Sequence, residues 1–320
     1  MAHDTETSSG SWERGLVEQL AFAAIAEQRR ARRWGIFFKL LLALYLLAIF
    51  IMAVYPKLGS DWPISESGPG HSAVIHINGV IAQNEKANAD AIIDSLHAAV
   101  KDPNTKGIIL AINSPGGSPV HSDWIYRAIR AIKQKHPDLP LVSVVGDICA
   151  SGGYYIASAS DRIYVNPASI IGSIGVVMNS FGFVDTLAKL GVERRVLTAG
   201  EHKALMDPFS PTDTFETEHM QRMLGQVHQQ FIDAVREGRG KRLKETPDLF
   251  TGLVWTGTEG VALGLADDYG NIRDVAENVI GAKKRIDFSP KQDLFERLSG
   301  KIGTTFAGHL RAWLGDLTWR

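Results

Sequence analysis

Hydrophobic and polar positions divide the chain into two regimes. Residues 34–55 are apolar on all sides and carry one charge, Lys39, with Trp34 and Tyr55 at the two edges. That length and evenness predict a bilayer-spanning helix rather than an amphipathic one. Beyond residue 70 the pattern alternates. Residues 73–81 read as a strand, and 88–100 as a helix with Ile92, Ile93, Leu96 and Val100 on one side. Residues 107–113 form a second strand, 120–135 a second helix, and 141–145 a third strand ending at Gly146. Further on, 162–165 and 175–178 predict short strands, 184–190 a helix and 193–197 an extended segment. Residues 215–237 predict a long helix with Met220, Met223, Leu224, Val227, Phe231 and Val235 on its apolar side. This rhythm predicts an α/β fold with mostly parallel strands, preceded by one N-terminal transmembrane helix.

Flanking charge orients the apolar segment. Arg29, Arg30, Arg32 and Arg33 precede it, whereas only Lys57 follows before Asp61. The positive-inside bias puts residues 1–33 in the cytoplasm and everything beyond about residue 56 across the membrane. Those 33 residues are long for the charged end of a cleaved signal, and Ala53-Val54-Tyr55 is a poor cleavage site, so an uncleaved anchor is expected. Within the cytoplasmic part, 12–33 has helix-forming content and apolar Leu16, Leu20, Ala23 and Ala24, suited to lying along the inner surface. Residues 56–70, rich in Pro, Ser and Gly, read as a linker, and 71–282 as the main domain. The stretch 283–320 reads as a helical extension, with Leu294, Leu298, Ile302, Phe306, Leu310, Trp313 and Leu314 at near-helical spacing.

Composition narrows the function classes. With 34 Lys and Arg against 35 Asp and Glu, the chain lacks the basic excess that nucleic-acid binding demands. Cys149 is the only cysteine, so no intrachain disulfide forms, and a buried packing role is its expected fate. Neither phosphate-loop glycine pattern is present, and no cofactor or metal is called for.

Function in such sheets gathers where strands end and helices begin. Two junctions carry candidate chemistry: Asn113-Ser114-Pro115-Gly116-Gly117-Ser118, and Ser151 between the third strand and Gly152-Gly153. A serine there is held up at the sheet edge beside the N–H groups of a helix start, the geometry a nucleophilic hydroxyl needs. The Gly116-Gly117 loop lets backbone amides approach a ligand, so Gly116 or Gly117 together with Gly152 could form an oxyanion hole. Close packing of a helix on a strand would also use these small residues. The base is less determined: His202 lies in a Gly-rich stretch, and its neighbour Lys203 could serve only if its amine were neutral.

The segments Ile112–Ser118, Ala150–Asp161, Gly172-Ser173-Ile174-Gly175-Val176 and Gly200-Glu201-His202-Lys203 together resemble the signal peptide peptidase SppA family of serine peptidases, in that family's order and spacing over roughly residues 72–275. The resemblance implies a Clp/crotonase-like fold and a Ser/Lys dyad: Ser151 as nucleophile, Lys203 as general base and Ser173 as the hydroxyl that orients the lysine. Oxyanion stabilisation then falls on the amides of Gly152 and of Gly116 or Gly117. It further implies peptide substrates with small or apolar side chains, cleaved signal peptides among them. A homo-oligomer whose subunits share sites is implied too, as is a place on the outer side of a bacterial inner membrane. A crotonase-type acyl-CoA enzyme and an idle membrane scaffold of the same fold are the alternatives.

Overall fold

The computed structural model describes residues 27–30, 32–50 and 70–290, and the chain divides into two units, Met1–Ser65 and Glu66–Arg320. In the first unit, α1 (Glu27–Phe50) has 24 residues, and an 18-residue stretch of it reaches a mean hydropathy of 1.8, long and apolar enough to cross a membrane. At 1.5 Å per residue the whole helix is about 36 Å long, against about 30 Å of hydrocarbon. Its described part already reaches seven residues before the expected position 34, into the arginine-rich segment. Residues 51–55 of the expected span, the surface segment before residue 27, the linker to residue 69 and the extension from 291 lie outside the described residues.

The second unit is built on one eight-stranded sheet. Its strands are β1 (His71–Asn78), β2 (Thr105–Ser114), β3 (Leu141–Ala150), β4 (Arg162–Val165), β5 (Ile170–Gly172), β6 (Val254–Thr256), β7 (Asp268–Tyr269) and β8 (Arg285–Asp287). The order β6-β5-β3-β2-β1-β8 is completed by β4 and β7 branching from β3, and every pairing is parallel except β5 with β6. The central strands are buried on both faces. Ile75, Ile77, Ile108 and Leu110 join the larger core, while Val74, Ile109, Val142 and Val144 join a smaller one on the other face. Two-sided burial is why these strands read as continuous apolar runs.

The helices are α2 (Ala89–Lys101), α3 (Pro119–Lys135), α4 (Gly152–Ser158), α5 (Val184–Lys189), α6 (Thr214–Arg239), α7 (Gly257–Ala262) and α8 (Ile272–Asn278). Local chemistry starts several of them. The Asn88 side chain accepts from Ala91 N, and Ser118 accepts from His121 N with Pro119 opening α3. Thr256 and Glu259 form a capping box on α7.

Three expectations need correction. Residues 175–178 and 193–197 are not strands: no sheet edge reaches them, and β-branched residues without a partner strand do not form one. The long helix α6 has its apolar side, but only its C-terminal half is covered, by Phe231, Ala234 and Val235, while Phe215 and Met223 stay exposed. The main domain does not close at 282, because β8 pairs with β1 and Phe288 N donates to Val74 O.

A buried charge network ties the end of α6 to the sheet. Arg239 donates from Nε to Gly264 O and from Nη1 to Asp267 Oδ2, each at 2.8 Å, and Arg242 donates to Asp267 Oδ1 at 3.1 Å. Burial alone would raise the Asp267 carboxyl. The Arg239 hydrogen bond and charge, the Ile163 amide and Arg242 outweigh it and hold the group below its ordinary value. A folded pKa below the unfolded one of about 3.9 makes the contribution complete above that value. It is lost as pH falls through the lower folded value. Asp267→Ala leaves Arg239 charged and buried, so urea melts at neutral pH should show about 3–5 kcal/mol of lost stability. The difference from wild type should shrink on acidification.

Candidate active site

β3 changes partners along its length, and that positions the site. Residues 142–144 pair with β4, 148–150 pair with β5, and Gly146-Asp147 between them are exposed. The second half of β3 carries Ala150 into register with Gly172 of β5, and Ser151 N donates to Gly172 O at 2.8 Å. Ser151 and Ser173 each follow one of these paired residues, so the two serines stand side by side. Both have positive φ, 50° and 51°. A non-glycine residue in that region is uncommon and concentrates at functional turns. Ser151 is also the N-cap of α4 without capping it through its side chain, which leaves the hydroxyl uncommitted to the helix.

Backbone amides converge on the same point. Ile81 forms an isolated bridge with Gly117: its N–H donates to Gly116 O at 2.9 Å, and its carbonyl accepts from Ser118 N at 2.7 Å. In a parallel bridge the Gly117 N–H therefore faces away from Ile81, and it has no acceptor among the described residues. A Cβ on Gly152 would stand 3.3 Å from that nitrogen, so the Gly117 and Gly152 amides are neighbours. Gly152 opens α4, where the first N–H groups have no partner within the helix. The Gly116 amide, by contrast, donates to Ser114 Oγ at 3.1 Å. Of the two glycines considered from sequence, Gly117 therefore has the available N–H. Gly116 has a steric role: a Cβ there would lie 2.7 Å from both Ser151 Cβ and Gly152 N.

A cavity of about 590 Å³ opens beside these groups, lined by Ser151, Ser173, Gly117 and Gly152 and walled by side chains of α3 and α6. Lys203 and His202 do not line it. Lys203 is exposed and forms no ion pair among the described residues; its segment is attached instead to the start of α6. The His202 ring stacks on Phe215 at 4.7 Å, and Met206 N donates to Glu216 at 3.2 Å. Cys149 is fully buried, and burial pushes its thiol far up, which keeps it protonated and inert. A larger cavity of about 970 Å³ lies at the carboxyl ends of β1, β2 and β3, but no Ser, Thr, Cys or Lys lines it. Of these two cavities, only the smaller is lined by candidate nucleophiles.

Sequence comparison bears on this arrangement directly. Residues 133–285 match the model of peptidase family S49, and residues 72–171 that of the Clp proteases. These matches support a relation to the SppA-type peptidases of family S49. The chain's mostly parallel α/β sheet is the Clp protease-like fold, and the two matched regions together hold Ser151, Ser173 and Lys203. Among relatives, "Putative signal peptide peptidase SppA" of Enterococcus faecium is 28% identical over 261 residues, 78% of this chain and 73% of that one. "Putative protease MJ0651" of Methanocaldococcus jannaschii is 30% identical over 202 residues, 63% of this chain and 64% of that one. A Brucella abortus protein named "Na(+)/H(+) antiporter NhaA" is 42% identical over 226 residues, 69% of this chain but only 31% of that protein. The aligned part thus spans under two thirds of the Brucella and Methanocaldococcus relatives. Transporters of that kind are built from many spanning helices, whereas the described residues here include one helix of the necessary length and apolarity.

Proposed function

We propose that this chain is a membrane-anchored serine endopeptidase that degrades peptides at the bilayer, cleaved signal peptides among them. Ser151 attacks the peptide carbonyl carbon, and its proton passes to the neutral amine of Lys203. The C–N bond then breaks, the leaving amine takes that proton, and an acyl-enzyme remains. Water, deprotonated by the same lysine, releases the acyl group and regenerates the serine. The Gly117 and Gly152 amides stabilise the oxyanion, and the Ser173 hydroxyl orients the lysine. The observation that carries this reading is the strained Ser151 at the end of β3 with two neighbouring amides beside it.

Lys203 is best accounted for as the contribution of an adjacent subunit. As a base it needs a lowered pKa, which requires burial, and in the single chain it is exposed. The segment that carries it also leaves large apolar side chains uncovered, Phe181 at 76%, Leu190 at 71% and Leu197 fully, together with Phe215 and Met223 of α6. Large apolar side chains left uncovered in this number support an interface there. The helix α1 and the arginines at its start support a single-pass anchor with the N-terminus in the cytoplasm and the sheet domain on the other side.

The test is labelling of the detergent-solubilised full chain with a serine-reactive fluorophosphonate probe. One label per chain is expected at Ser151 and none in Ser151→Ala. Undiminished labelling of that variant, or no labelling of the wild type, would sink the assignment. An acyl-CoA enzyme or an idle scaffold of this fold would not be labelled there.

A further inference from the structure

Among the residues that line the Ser151 cavity, one side chain is charged: Asp123 of α3. Apolar side chains form much of the wall, Val120 on α3, Val177 on the exposed segment, and Val227 and Phe231 on α6, with the uncharged Gln230 and Thr251 also lining it. Asp123 Oδ1 accepts the Tyr155 hydroxyl at 3.1 Å, and Oδ2 accepts Arg127 Nε at 2.6 Å. Burial and the Asp123 charge push the Tyr155 phenol far up, so it remains a donor; its ring stacks on Phe231 at 4.9 Å. The two partners differ in permanence. Tyr155 is part of the core, whereas the Arg127 side chain is 75% exposed against 28% for Asp123. An exposed i,i+4 ion pair of this type is weak and readily exchanged.

A purely apolar substrate side chain entering this cavity would strip water from a carboxylate and give nothing back, which is costly. A lysine or arginine has the complementary construction, an aliphatic stem with a cationic tip. We propose that Asp123 makes the Ser151 cavity a subsite for a basic side chain of the peptide substrate. The stem lies along Val120, Val227 and Phe231, and the cation meets the carboxylate in place of Arg127. The inference rests on the reading of Ser151 as nucleophile, and it departs from the small or apolar preference expected from sequence. Secretory signal peptides offer such residues, since their positively charged end adjoins the apolar run.

Binding separates this subsite from the chemistry. Fluorescent peptides that differ only in lysine or norleucine, placed at one position at a time, are titrated against full-length Ser151→Ala, which cannot cleave them. At one position lysine should bind about tenfold tighter, the scale set by hydrogen bonding to a charged group. Asp123→Asn in the same background should remove the preference while leaving norleucine binding in place, which also reports an intact cavity. Arg127→Ala should enlarge the preference, and added salt should reduce it. Equal binding of the two peptides at every position, or a lysine preference that survives Asp123→Asn, overturns the proposal. Probe labelling of wild type tests the nucleophile separately, so discrimination without labelling would leave the subsite standing and remove only the catalytic reading.

Discussion

Lys203→Ala is expected to lower peptide turnover by about 10⁴-fold or more, as loss of a catalytic residue from a serine peptidase does. Ser151→Ala should be equally inactive, and a co-assembled mixture of the two inactive chains should recover activity. The expectation of recovery follows from where Lys203 lies. It sits in the turn after Gly200, and its segment is attached to the exposed start of α6 through the His202–Phe215 stack and the Met206–Glu216 hydrogen bond. The cavity of Ser151 does not include it. If neighbours in a ring exchange this segment, a Lys203→Ala chain supplies an intact serine and an adjoining Ser151→Ala chain supplies the lysine. Random mixing in a head-to-tail ring then restores about a quarter of the sites. Mixed oligomers, verified by native mass measurement, that stay inactive would exclude sharing between subunits. Full activity in Lys203→Ala alone would remove the lysine as base, and His202 would be tested in its place.

The parts legible in the sequence are those whose cause is local. β1, β2, α2 and α3 follow from apolar periodicity over eight or more residues, and Ser151 from the junction of a buried strand with Gly152-Gly153. β5, β6, β7 and β8 have only two or three residues each, too few for a period to register. Ser173 gives no local sign of its positive φ, which comes from the pairing of β5 with β3 and from Leu253 O accepting its amide at 2.8 Å. Periodicity also states that a face requires burial without saying against what. Met223 was expected in the core of this chain, yet it faces outward on α6. Asp123 was missed for a related reason: with Arg127 four residues on, it looks like half of an ordinary solvated helix pair, and only the fold turns it toward the serine.

The second large effect is expected at a glycine that makes no catalytic contact. Gly116 has φ 102°, and a Cβ there would stand 2.7 Å from Ser151 Cβ, 2.7 Å from Gly152 N and 2.9 Å from Ala150 O. Two of those neighbours are backbone atoms and the third is the first side-chain carbon of Ser151, the proposed nucleophile, so none can rotate away. Gly116→Ala must therefore displace the serine and one of the two proposed oxyanion amides together. Loss of a single oxyanion donor costs about 10²–10³ in kcat, and at least that is expected here, with KM much less affected because the cavity walls on α3 and α6 are untouched. Backbone strain alone, about 1–2 kcal/mol for a left-handed residue, could lower activity by reducing the folded fraction. Gly281→Ala supplies the control: its φ is 76°, and no atom lies within 4 Å of the added Cβ. It should share the strain and keep the wild-type turnover per folded chain. If Gly116→Ala matched Gly281→Ala in kcat per folded chain, the close approach of the Gly116 loop to Ser151 would have no part in catalysis. Conversely, a folded Gly116→Ala chain that labels slowly with the fluorophosphonate, while Gly281→Ala labels at the wild-type rate, ties the glycine to the geometry of the nucleophile and not to the stability of the sheet.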